Sequence, residues 1–223
     1  MKKSIYWGIL FSAITIIACK EKTTSNQATD AENKKVETGQ QVYLVDPLQS
    51  SVKWIGAKPS GTENGIVPIS KGTIATSDGK VTGGTIEIDV ASLTVLSKDG
   101  DMKKTLESHL KGETPGKEED FFNVSKYPKA SYTITSTSAL ENDPEATHMV
   151  NGNLTIKNIT KPVNFKARID VKESVLTASA APFNIDRTEF DIKFKSKKFF
   201  DNLKDDFIND DFQIGFYVVA NKQ

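Results

Sequence analysis

The chain has 223 residues, 37% hydrophobic and 26% charged, and Lys plus Arg equals Asp plus Glu at 29 each. That balance excludes a nucleic-acid binder, which needs a concentrated basic face. The chain has a single cysteine, so it forms no internal disulfide, and that cysteine with two histidines makes a poor set for a catalytic zinc, which takes about three protein ligands.

The first element is a basic start, Met1-Lys2-Lys3, followed by an apolar run from Ile5 to Ala18. The run is shorter than the roughly 20 apolar residues of a spanning helix, and the small Ala18 stands where a signal peptidase cuts. Residues 1–18 therefore read as a lipoprotein signal peptide, and Cys19 as the lipidation site, acylated in the mature chain. From Lys20 to Gln41 the side chains are almost all polar and cannot bury enough surface to offset the entropy of ordering. Residues 19–41 are expected to be an acylated cysteine on a disordered tether, and residues 42–223 one folded domain. The expected location is the bacterial cell envelope, lipid-anchored to the outer membrane on its periplasmic or surface face.

Beyond the tether, strict alternation predicts strands with one wet and one dry face. Val52 and Trp54 open the series, and Ile86, Ile88 and Val90 follow the turn signal Ser77-Asp78-Gly79. From Asp101 to Lys111, Met102, Leu106 and Leu110 fall four apart and predict a short helix. Tyr132 with Ile134, Leu154 with Ile156, the run Val163-Phe165-Ala167-Ile169-Val171, and Phe183 with Ile185 predict further strands. Phe190, Ile192 and Phe194 alternate in the same way. Phe200, Leu203 and Phe207 predict a second short helix over residues 199–208, and Phe212, Ile214, Phe216 and Val218 a closing strand. The class is mainly β, an antiparallel barrel or sandwich, and the long strands favour a tall barrel capped at one end by one or two short helices.

Catalytic inventory is poor. There is no Gly-x-Ser-x-Gly elbow, no Gly-x-x-x-x-Gly-Lys loop and no His-Glu-x-x-His pair. Glu87 and Asp89 share a strand face and read as solvated carboxylates. Asp205, Asp206, Asp210 and Asp211 lack the spacing of a calcium loop and read as helix and turn charges. The expectation is no enzyme, no catalytic residue, no metal and no cofactor.

Several segments together resemble the YceI-like family: Asp120-Phe121-Phe122-Asn123-Val124-Ser125-Lys126-Tyr127-Pro128, Gly152-Asn153-Leu154-Thr155-Ile156, Thr160-Lys161-Pro162-Val163 and Ile185-Asp186-Arg187-Thr188-Glu189-Phe190. The resemblance spans the whole domain. It implies a lipocalin-like, eight-stranded antiparallel β-barrel that binds a polyisoprenoid, a quinone-like molecule or another long-chain amphiphile in its lumen. Two positions depart from relatives: Glu63 stands where many carry His, which bears on the head group accepted, and Asn158 stands where many carry Gly. Such a barrel is wide enough either to be filled by side chains or to hold one slim ligand.

The candidate lumen and gate residues are Trp54, Ile86, Ile88, Phe121, Phe122, Tyr132, Phe165, Phe183, Arg187, Phe194 and Phe216. Each also has an ordinary reading as core. Phe121 and Phe122 form either a gate or a staple for the preceding loop, and Trp54 either lines or plugs one end. Arg187 meets either a head group or a carboxylate, Asp186 or Glu189. The function expected is a non-catalytic, lipid-binding envelope protein, membrane-bound through its N-terminal lipid. The alternative is a filled-barrel interaction module without a small-molecule ligand.

Overall fold

The computed structural model describes residues 40–223. The expectations for the signal peptide, Cys19 and the tether up to residue 39 lie outside the described residues. Gln40 and Gln41 already belong to the first strand.

Ten strands form one antiparallel sheet: β1 (Gln40–Val45), β2 (Ser51–Lys58), β3 (Gly61–Ser77), β4 (Lys80–Asp89), β5 (Thr94–Val95), β6 (Lys129–Ala139), β7 (His148–Ile156), β8 (Ile159–Val171), β9 (Val175–Asp186) and β10 (Asp211–Lys222). One α-helix, α1 (Gly100–Lys111), lies between β5 and β6. Pairing of β9 with β10 closes the sheet into a barrel, so the two strands that would otherwise be its edges are each paired on both sides.

Ten strands make only eight staves, because two staves are broken. β1 and β2 lie end to end between β10 and β3: β1 pairs with Ala220–Lys222 and Thr73–Ser77, β2 with Gln213–Tyr217 and Gly61–Pro68. The 17-residue β3 spans both halves. β4 is broken in the same way by a one-turn 3-10 helix, Val90–Ser92, after which β5 pairs with β3 at Gly65 and Ile66.

Alternation in the sequence appears directly in the wall. Along β8, Phe165 and Ala167 are buried and Val163, Ile169 and Val171 half-buried, while Asn164, Lys166, Arg168 and Asp170 are exposed. At one end of the barrel the strands join through short turns, such as Asp78-Gly79, where both residues take the positive φ that a tight hairpin requires. At the other end sit the two long insertions, residues 90–128, which include α1, and residues 187–210.

Two expected elements are absent. Phe190, Ile192 and Phe194 do not form a strand: Arg187–Phe190 is a 3-10 turn, and Asp191 and Lys195 take left-handed conformations that break extension. Their alternation comes from a chain that dips inward over the barrel end, where Phe190 and Ile192 are almost wholly buried. Residues 199–208 form no helix. Asn202 and Lys204 both have positive φ, and the segment is a succession of turns.

Candidate functional site: an apolar lumen

The inward faces of the staves enclose a cavity of about 300 Å³, at the lower bound of small-molecule pockets. Its wall is almost entirely hydrocarbon. Polar side chains enter it only at the ends: Thr137 near the hairpin end, and Lys58, Glu63, Arg187 and Asn209 at the insertion end.

The hairpin end is closed. Tyr43 on β1 is 1% exposed and Leu176 on β9 is fully buried, and together with Ile74 and Val81 they fill this part of the barrel. The Tyr43 hydroxyl donates to the Lys172 carbonyl in the β8–β9 turn at 3.3 Å, fixing the ring there.

Half-way up, aromatic rings line one side. Phe165 is the hub, with ring centroids 5.2 Å from Tyr132, 4.8 Å from Phe183 and 5.2 Å from Phe216. These four come from β6, β8, β9 and β10. Across from them β2, β3 and β4 present Val52, Val67, Ile69, Ile86 and Ile88, an aliphatic wall. The Tyr132 hydroxyl donates to the Val163 carbonyl at 2.8 Å, and burial pushes its phenol well above the usual value. The ring is therefore neutral and its one polar atom is satisfied within the wall.

The insertion end is roofed. α1 turns Leu106 and Leu110 into the lumen and ends on Gly112, whose left-handed conformation lets its N–H cap the helix. His109 on the same helix bonds to Asp120 at 2.7 Å and stands edge-on to both Phe121 and Phe194, each 5.1 Å away between centroids. Helix, following loop and second insertion are thereby joined. Phe121 and Phe122 act as staples and lumen wall together, since the Phe122 N–H donates to the Leu110 carbonyl while both rings line the cavity.

Arg187 holds the second insertion. Its guanidinium is almost wholly buried and donates to the carbonyls of Asn209, Ile192 and Ile208, with Asp210 at 3.5 Å. Desolvation lowers its pKa, opposed by Asp210 and Asp186. The expected pairing with Asp186 or Glu189 is replaced by these contacts; Asp186 instead caps Thr188 and pairs with Lys198. Each of the three guanidinium nitrogens donates to a backbone carbonyl, so Arg187 is a clamp on the roof.

The structure places Trp54, Ile86, Ile88, Phe121, Phe122, Tyr132, Phe165, Phe183, Arg187 and Phe216 on the cavity wall. Phe194 is the exception: it stacks outside the lumen on His109 and Phe121, because the loop containing it runs over the roof. Trp54 lies against Gly65, where a side chain would come within 2.7 Å of the indole Nε1. That Nε1–H is buried without a hydrogen-bond partner among the described residues. Glu63 at the mouth accepts from the Ser97 hydroxyl at 2.7 Å and pairs with Lys98 at 3.2 Å, so its charge is already answered.

Two elements of the site had no distinct sequence signal: the floor formed by Tyr43, Ile74, Val81 and Leu176, and the mouth residues Ile208 and Asn209. The Asn209 N–H donates to the Ala57 carbonyl at 2.9 Å and so ties the second insertion to the end of β2.

The carboxylates weighed as chemistry are engaged elsewhere. Glu87 binds Lys129 and the Ser70 hydroxyl, which hold its carboxyl below the usual range, and Asp89 accepts from Ser92. Among the described residues no group of three or more His, Cys, Asp or Glu is placed to hold a metal ion.

Known proteins resemble the chain at three levels. A UPF0312 protein of Shewanella sp. (strain W3-18-1) is 34% identical over 88 residues, and the same holds for one from Shewanella putrefaciens (strain CN-32 / ATCC BAA-453). The matched stretch spans 39% of the length of these relatives and 40% of this chain. Among solved structures, Burkholderia cenocepacia BcnA superposes with a TM-score of 0.60 at 22% identity, covering 79% of this chain and 99% of that one. A polyisoprenoid binding domain from Saccharophagus degradans, implicated in plant cell wall breakdown, superposes at 0.56 with 11% identity, covering 81% and 98%. These superpositions establish a shared fold. Residues 43–220, nearly the whole barrel, match the YceI-like domain, and the chain belongs to that family.

Proposed function

We propose that this protein is a non-catalytic lipid-binding protein that holds a polyisoprenoid, quinone-like or similarly long amphiphile in its barrel lumen at the bacterial envelope, tethered by lipid on Cys19. The observation that carries the reading is the lumen itself: a cavity of about 300 Å³ with hydrocarbon walls, closed below and roofed by apolar side chains. Such a space suits an extended chain, each buried methylene contributing about 0.8 kcal/mol. Family membership and the name of the Saccharophagus domain support the same ligand class.

The filled-barrel alternative requires that side chains occupy the lumen. Aromatic packing around Phe165 fills one side, yet the cavity remains open beside it.

Organic extraction of protein purified without detergent tests the proposal. A long-chain amphiphile recovered in near-stoichiometric amount is the expected result. No lipid recovered, with no uptake of added isoprenoids, would overturn it.

A further inference from the structure

We propose that the insertion end of the barrel is a membrane-docking collar, with residues 193–204 as its contact edge and a phospholipid bilayer as its partner. The proposal rests on the lipid-binding reading, since a docked rim serves a lumen that exchanges lipid with the bilayer.

Apolar exposure is the first observation. Phe199 and Phe200 are consecutive and 50% and 47% exposed, and among the other described aromatic residues only Tyr217, on the wall strand β10, is exposed to that extent. Leu96 and Met102, in the other insertion at the same end, are also exposed.

Charge is the second. Residues 193–204 contain five lysines and one carboxylate, Asp201. Flanking Asp191, Asp206 and Asp186 pair with Lys193, Lys195 and Lys198. Lys197 and Lys204 have no carboxylate partner among the described residues, and both are exposed. Lys197 instead sits 3.5 Å above the Phe207 ring and Lys193 5.1 Å from that of Phe199. Rings interleaved with ammonium groups on flexible stems suit the level of lipid head groups, where the ring enters hydrocarbon and the cation meets phosphate.

Continuity with the lumen is the third. A surface recess of about 380 Å³ is lined by Lys197, Lys198, Phe207, Ile208, Asn209, Asp210 and Asp211, and Ile208 and Asn209 also line the lumen. A lipid head at the recess therefore stands beside the mouth its tail would enter, so the transfer avoids carrying the tail through water.

Photocrosslinking on the full chain reconstituted in vesicles of phosphatidylethanolamine and phosphatidylglycerol tests this. A diazirine-bearing residue replaces Phe199 in one preparation and Leu48, a 97%-exposed residue on the β1–β2 stave, in another. Phospholipid adducts several-fold more abundant at 199 than at 48 are expected. Equal labelling, no lipid labelling at 199, or protein dimers there would overturn the collar. Lipid extracted from the same preparations separates the two claims: a loaded lumen with an unlabelled collar removes only the docking, and a labelled collar with an empty lumen removes only the lipid-binding reading.

Discussion

Gly152 lies directly beneath the ring of Tyr132: a Cβ at 152 would stand 2.4 Å from both Cζ and Oη of the tyrosine. The close approach lets the ring lie flat across β7 and reach the Val163 carbonyl on β8, keeping it out of the lumen's centre. Gly152→Ala is expected to destabilise the barrel by about 1–3 kcal/mol through overpacking and to reduce lipid uptake by swinging the ring inward. Tyr132→Phe keeps the ring and loses about 0.5–1.5 kcal/mol with the hydrogen bond. Denaturant titration and lipid extraction of both variants check this; unchanged uptake in Gly152→Ala would mean the ring has another way out.

Arg187 secures the roof through three carbonyls and Asp210. Its replacement by Leu leaves those acceptors buried and unanswered, and the expected loss is about 3–5 kcal/mol. Lys at this position restores only part, because one ammonium cannot reproduce the planar fork. Denaturation midpoints of the two variants check the order wild type, Lys, Leu.

Ala178 points into the lumen from β9 and is only partly buried. Ala178→Phe fills the space a ligand would occupy. It is expected to abolish lipid uptake while the folded barrel survives a cost of about 1–3 kcal/mol. Circular dichroism beside lipid extraction separates blockage from unfolding.

Stability should fall in two steps on acidification. Burial lowers the pKa of His148 below its ordinary 6.5. The unfolded chain then binds the proton more readily than the folded one, so stability is level above about 6.5 and declines as pH drops from there toward the folded value. Asp143 is held down to about 2 by the Lys166 hydrogen bond first and by the N–H groups of Glu145 and Ala146. Its contribution is present above the ordinary 3.8 and lost as pH falls toward 2. His148→Gln should erase the upper step alone, as read from urea denaturation across pH.

Much of the barrel was legible because period-two alternation is a local property. β8 shows it in the order the sequence does, and α1 forms where the four-residue spacing predicts a helix, with Leu106 and Leu110 turned to the lumen and Met102 exposed. The broken staves were not legible, since what makes β1 and β2 one stave is their shared partners on β3 and β10, far away in the chain. Phe190 to Phe194 misled because a loop crossing an apolar mouth also buries alternate residues. The spacing of Phe200, Leu203 and Phe207 misled because propensity yields to tertiary contacts, here Lys195 with Asp206 and Lys197 on Phe207. Arg187 was picked out by its apolar neighbours, yet three of its partners are backbone carbonyls, which carry no residue signature.

Native mass spectrometry of Gln40–Gln223, exported on expression and purified without detergent, tests the central claim most directly. The account predicts a discrete extra mass that leaves on denaturation and fragments as a long-chain amphiphile. A bare mass that stays bare after incubation with long isoprenoids would contradict it.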